Sequence, residues 1–113
     1  MNKTIKRKWL QELRSGNYKQ GKSYLRRLHP KQLKPDELEC RWCCLGILAD
    51  VTHPEVWQKA QAAYYDHQGC GRFPSGDVTA KAELTIEACR HVARMNDSEK
   101  PFSEIADWIE ENL

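Results

Sequence analysis

The longest apolar run in the chain is Trp42–Ala49, broken only by Gly46. A segment that is apolar on every side has no face to offer water, so the rest of the chain must wrap it. Leu38, Trp42, Leu45 and Leu48 recur at spacings of three and four, while Cys43, Cys44, Ile47 and Ala49 fill the other sides. This spacing predicts a buried central helix over about Glu37 to Val51, and a compact fold built around residues 38–50. A buried strand over Trp42–Leu48 is the competing reading. Gly46 costs a helix about 1 kcal/mol against Ala, and the expected reason for it is the close approach of another backbone.

The flanking sequence supplies further helices. Ile5, Trp9, Leu10 and Leu13 make an apolar stripe that predicts a helix from about Asn2 to Ser15, with Gly16 ending it in a left-handed conformation. Thr52-His-Pro-Glu55 reads as a capping box opening a third helix to about Asp66, with Val56, Trp57, Ala60 and Tyr64 buried. Gly69–Gly76 is rich in turn residues. A helical region from Asp77 or Thr79 to about Met95 follows, with a break near Leu84–Thr85, and a last helix starts with Ser103 as N-cap and runs to about Asn112. The segment Asn17–Arg27 lacks helical periodicity and carries Gly21, which suggests a loop with a short strand near Lys22–Arg26. His29-Pro30 and Lys34-Pro35 bracket a connector. With 113 residues the chain is expected to form a single domain, 1–113. The expected fold class is mainly α, with an α+β variant carrying one short strand or hairpin near residues 18–27.

Several functional classes find no support in the residues. No apolar stretch approaches the roughly 18 residues of a membrane span, and the charged N-terminal segment is followed by no apolar core of a secretory signal. The expected location is the cytoplasm, of a cell or of an infected host, and no membrane partner is expected. The cysteines, Cys40, Cys43, Cys44, Cys70 and Cys89, are odd in number and include an adjacent pair. They read as reduced thiols, most of them buried, rather than as a disulfide framework. Cys40-x2-Cys43 with His67-x2-Cys70 has the spacing of two zinc knuckles, but the first pair lies in the central apolar pattern, so no metal and no cofactor is expected. No phosphate loop, dinucleotide fingerprint or nucleophile elbow occurs, and no catalytic residues are assigned.

Charge is the remaining signal. Residues 1–35 hold eleven Lys or Arg against one acid, Glu12, whereas residues 36–113 hold seven against fifteen. Lys6, Arg7, Tyr18, Lys19, Lys22, Tyr24, Arg26 and Arg27, with Lys3 and Lys8 beside them, interleave positive charge with aromatic rings, a composition suited to phosphates and bases. They are the candidate surface for a partner or for nucleic acid. The opposing reading is that these cations balance the acidic C-terminal helices within the fold.

An ordered set of motifs adds a resemblance. Lys8-Trp9, Leu13-Arg-Ser-Gly16, Tyr18 and Gln20-Gly21 are followed by Cys43-Cys-Leu-Gly-Ile-Leu48, then Met95-Asn-Asp97, and Phe102 with Glu104-Ile-Ala106 and Ile109-Glu110. The pattern resembles a family of small uncharacterised proteins of tailed bacteriophages and prophages. Ala49 stands where a further cysteine often follows, and the connector His29–Glu39 is long for the pattern. The resemblance implies a phage origin and carries no activity, cofactor or catalytic residue. The function it implies is a non-enzymatic accessory protein that binds a host macromolecule, most simply a host protein, as an inhibitor of host-takeover or anti-defence type. A nucleic-acid-binding module using the basic N-terminal third, and a small zinc-stabilised domain, are the alternatives.

Overall fold

The computed structural model describes residues 1–61 and 64–113. Its order is α1 (Lys3–Ser15), β1 (Arg26–Pro30), β2 (Leu38–Trp42), α2 (Cys44–Thr52), β3 (Trp57–Gln61), β4 (Tyr64–His67), α3 (Gly76–Ala82), α4 (Ile86–Asp97) and α5 (Phe102–Asn112). The strands form one antiparallel sheet in the order β2-β1-β4-β3. The fold is therefore α+β with a four-stranded sheet: the expectation of a mainly α fold is corrected, and the α+β variant with one short strand or hairpin near residues 18–27 covers only the start of β1.

The predicted central helix divides at Cys43. Leu38–Trp42 is a strand because its backbone groups are used by neighbours: β1 pairs along its whole length, and the Trp42 amide and carbonyl are taken by Lys19 O and Gly21 N at 2.8 and 2.7 Å. Cys43 stays extended (φ −86°, ψ 168°) and caps α2. Every residue from Cys44 to Ala49 is buried, so the apolar run does form the centre, as a helix only in its second half. The close approach expected at Gly46 is present: a Cβ there would lie 1.8 Å from Leu25 O.

The predicted third helix is absent from the described residues, its Ala62 and Ala63 lying outside them. In its place β3 and β4 form a hairpin. Thr52 ends α2 and its hydroxyl donates to Ala49 O at 3.0 Å, so it caps nothing downstream. α1 follows the sequence closely. Asn2 Oδ1 accepts from Ile5 N at 2.9 Å, Gly16 ends the helix at φ 78°, and Ile5, Trp9 and Leu13 are buried. Trp9 Nε1 donates to Cys44 O at 2.9 Å, joining α1 to α2. The break near Leu84–Thr85 is real: α3 stops at Glu83 (φ 52°) and Thr85 caps α4 through Ala88 N at 3.1 Å. α5 begins one residue before Ser103, with Pro101 at its cap and no side-chain cap bond.

One buried side chain joins three distant segments. Asn96, 1% exposed, accepts from Cys44 N at 3.2 Å and Gln20 Nε2 at 3.0 Å, and donates to Gly21 O at 2.8 Å. Next to it, Asp97 Oδ1 accepts from Ser23 N at 3.1 Å. The Gln20-Gly21, Cys43–Gly46 and Asn96-Asp97 motifs, far apart in sequence, thus meet at the start of α2. Their role is architectural: they hang the entry to the sheet on the helical layer.

Candidate nucleic-acid interface

The basic N-terminal third does not form one surface. Strand pleating sends alternate residues to opposite faces, and the register puts Arg26, Trp42, Tyr65, Trp57 and His67 on the face turned toward α2. Arg26 lies there over three rings, with its guanidinium carbon 4.0 Å from the Tyr65 centroid, 4.7 Å from Trp42 and 5.6 Å from Trp57. Tyr18 meets Trp42 edge-on at 5.0 Å and donates to Asp50 Oδ2 at 2.7 Å; burial, reinforced by the Asp50 hydrogen bond, pushes its hydroxyl well above the usual range. Trp57 Nε1 donates to the other Asp50 oxygen at 2.9 Å. These groups are packing, with cation–π attraction holding the arginine.

Other predicted cations are spent within the fold. Lys6 donates to Glu110 O at 3.1 Å, and Lys22 pairs with Glu99 at 2.6 Å, holding that carboxyl below the usual range. Arg14 bridges Asp107 and Glu110 on α5 at 2.9 and 3.1 Å. For Arg14 and Lys22 the positive charge is balanced by carboxylates of the C-terminal part, while Lys6 meets a main-chain carbonyl there. Arg7 sits exposed on α1 with Lys3 and Lys8, apart from the sheet.

Of the eight predicted residues, Lys19, Tyr24 and Arg27 are brought together, on the outer face of the sheet. Arg27 stands directly opposite Arg41 in the β1–β2 register and next to Tyr64 in the β1–β4 register. Tyr24 and Tyr64 lie 4.7 Å apart at 31°. Arg72 reaches over Tyr24 from the Gly69–Gly76 loop, 4.8 Å from the ring centroid, and donates to its hydroxyl at 3.1 Å. Arg27 approaches the same ring at 5.5 Å. Among the described residues neither Arg27 nor Arg72 has a carboxylate within salt-bridge distance, and the Arg27 Nε is buried without a partner.

The outer face continues into a groove of about 610 Å³, lined by Lys19, Lys31, Leu33, Lys34, Glu39 and Arg41, with Gln20 and Gln32. Glu39 receives Lys19 at 2.6 Å and Arg41 at 3.2 Å, with only 11% of its side chain exposed. The two cations, Lys19 first, hold its carboxyl below the usual range.

Sequence reasoning missed Arg41, Tyr64 and Arg72, and left Lys31 and Lys34 in a connector. The pleat of β2 and β4, over stretches whose spacing predicts helix, aligns Arg41 and Tyr64, while Lys31, Lys34 and Arg72 come from the connecting loops.

The proposed zinc residues are dispersed. Cys43 Sγ accepts from Gly46 N at 3.4 Å as the α2 cap, and His67 Nε2 donates to His53 O at 2.9 Å. Among the described residues no group of three or more His, Cys, Asp or Glu side chains is placed to hold a metal. All five cysteines are free. Burial pushes the Cys43 and Cys89 thiols up to about 11, and Cys44 well above the ordinary thiol range. Only Cys40 and Cys70 are partly exposed, so a disulfide-exchange reagent at neutral pH should label these two quickly and the other three only after denaturation. A third fast thiol in the native protein would contradict the packing around α2.

Among the described residues no helix is long and apolar enough to cross a membrane. The model of a family described as a domain of unknown function, DUF8296, matches residues 1–87. No curated protein and no solved structure matches the chain.

Proposed function

This chain belongs to the DUF8296 family, and we propose that it is a non-enzymatic binding protein that holds single-stranded nucleic acid on the outer face of its sheet. The observation that carries the reading is the Arg27–Arg41 pair. Like charges directly opposite on neighbouring strands are destabilising, and only Arg41 has a carboxylate beside it. A phosphate backbone supplies the missing negative charge. Tyr24 and Tyr64 lie alongside as ring surfaces for bases, and Arg72 and Lys19 extend the cationic track. Catalysis by thiolate is disfavoured by the raised thiols of Cys43, Cys44 and Cys89. The resemblance to tailed-phage and prophage proteins supports a setting in the cytoplasm of an infected host, with the protein acting as an accessory factor.

The test is fluorescence anisotropy with a labelled single-stranded oligonucleotide. With about four phosphate contacts, each worth about −0.7 in the slope of log K against log salt, affinity should fall roughly 50-fold between about 50 and 200 mM salt. Arg27→Gln with Arg72→Gln should weaken binding about tenfold and flatten that slope by about 1–2. Arg7→Gln with Lys8→Gln removes equal charge from α1 and should leave the affinity within about twofold. Equal losses from the two double variants would defeat the assignment to the sheet.

A second reading keeps a host protein as the partner. It is favoured by Leu33 and Leu38, which are 93% and 54% exposed around the β1–β2 connection and put apolar points beside the cations. Its mark is a defined host protein whose binding is lost in Leu33→Asp, with oligonucleotide binding absent from the unaltered chain.

A further inference from the structure

The groove beside the sheet has a charge arrangement of which the sheet-face reading uses only the Lys19/Arg41 half. Its cations come in two pairs, each held by one glutamate. Glu39 holds Lys19 and Arg41 at 2.6 and 3.2 Å on the sheet side. On the β1–β2 connection Glu37 holds Lys31 at 2.9 Å and Lys34 at 3.9 Å. A carboxylate neutralises one cation, so each pair keeps one positive charge in excess, and all four cations line the same groove. The backbone ties the loop that carries the second pair: Lys31 N donates to Glu37 O and Glu37 N to Lys34 O, both at 2.9 Å. Two anchored excess charges match a dianion. A phosphodiester carries one negative charge, whereas a phosphomonoester carries nearly two at neutral pH. A volume of about 610 Å³ lies within the range of small-ligand sites, and Leu33, 93% exposed, adds an apolar contact at the rim.

We propose that this groove is a phosphomonoester site, taking the phosphate between the Lys31/Lys34 and Lys19/Arg41 pairs and the organic body against Leu33. Two sources share that chemistry: a free nucleoside monophosphate, and the 5′-phosphorylated end of a strand lying on the sheet. The second rests on the function proposed above and the first does not.

The experiment uses the whole chain and four probes: adenosine 5′-monophosphate, adenosine, and one ten-residue single strand carrying either a 5′-phosphate or a 5′-hydroxyl. Charge-assisted contacts to the extra phosphate should make the phosphorylated strand bind about tenfold tighter than its hydroxyl counterpart at equal salt. Calorimetry should detect the monophosphate and not adenosine. Lys31→Gln with Lys34→Gln should abolish both differences while leaving the hydroxyl strand within about twofold, and Lys31→Arg with Lys34→Arg should restore them. If the monophosphate binds and neither strand does, the groove is a site for free phosphomonoesters and only the sheet-face reading fails. If the monophosphate does not bind and the two strands bind alike, the proposal is overturned.

Discussion

Gly46→Ala should cost the protein about 3 kcal/mol or more, a large part of the roughly 5–15 kcal/mol that stabilises a domain. The reason lies in the backbone. A Cβ at position 46 would stand 1.8 Å from Leu25 O, 2.6 Å from Leu25 C and 3.1 Å from Leu25 Cα. No side-chain rotation relieves that overlap, because the obstructing atoms are main chain. Leu25 is fixed in turn: its amide donates to Gly71 O at 2.8 Å and its carbonyl accepts from Cys43 N at 3.2 Å, and its side chain is fully buried. Relieving the clash must either lift the start of β1 from α2 or break those bonds. Gly76→Ala is the control. It opens α3, meets nothing within 4 Å, and should change stability by less than about 1 kcal/mol. Urea denaturation of both variants gives the comparison, and near-equal midpoints would contradict the packing of Leu25 on α2.

The second large effect is expected at Asn96. Asn96→Ala removes three hydrogen bonds and leaves the Cys44 amide and Gly21 carbonyl in the interior without their partner. At about 1–3 kcal/mol for each of these two buried groups left unsatisfied, the loss should be about 2–6 kcal/mol. Asn96→Asp tests the same node through its sign. Replacing Nδ2 by oxygen turns the 2.8 Å donation to Gly21 O into repulsion whenever the new carboxyl is ionised, and Asn96 is almost fully buried. Burial favours the neutral acid, so the folded-state pKa of the introduced carboxyl is raised above its unfolded value of about 4. The variant should therefore be least destabilised below about pH 4, where the acid can donate to Gly21 O, and should lose stability as pH rises through the raised folded-state value. Measured against the unaltered protein across pH, a variant penalty independent of pH would show that Asn96 does not donate to Gly21.

These two residues show what could be read from the chain. Gly46 inside an apolar helix already asked for a neighbouring backbone, and the asking residue was right although its partner, Leu25, was beyond reach. α1 and the break before α4 were legible for local reasons: Asn2 and Gly16 punctuate α1, and Thr85 marks that break. The sheet was not, because its spacing imitates a helix. Leu38, Trp42 and Leu45 fall at intervals of four and three across a strand, a cap and a helix. Val56, Trp57, Ala60 and Tyr64 do the same across the hairpin. Nor did period-two alternation betray the strands. β1 carries adjacent arginines, one facing the Trp42 cluster and one facing outward, so both faces look polar in sequence. Trp57, Tyr64 and Tyr65 were the available hint, since aromatic residues favour strands.

The candidate surface was half legible for the same reason. Charge and aromatic content singled out the segment 18–27, but composition cannot say which side of a pleat a residue takes. The structure splits that segment, sending Tyr18 and Arg26 inward and Tyr24 and Arg27 outward. It then completes the outward group from residues with no proximity in sequence: Arg41, Tyr64 and Arg72. The excess of positive charge over residues 1–35 was real, yet Arg14 and Lys22 are neutralised by α5 and by Glu99.

The proposed seat of nucleic acid is the outer face of the sheet. The most direct measurement is the set of backbone amide chemical-shift changes when a single-stranded oligonucleotide is titrated into the isotopically labelled protein. The largest changes should fall on Lys19, Tyr24, Arg27, Arg41, Tyr64 and Arg72, with α1 and α5 nearly silent. Changes centred on Lys3, Arg7 and Lys8 of α1, or none at all at low salt, would contradict it.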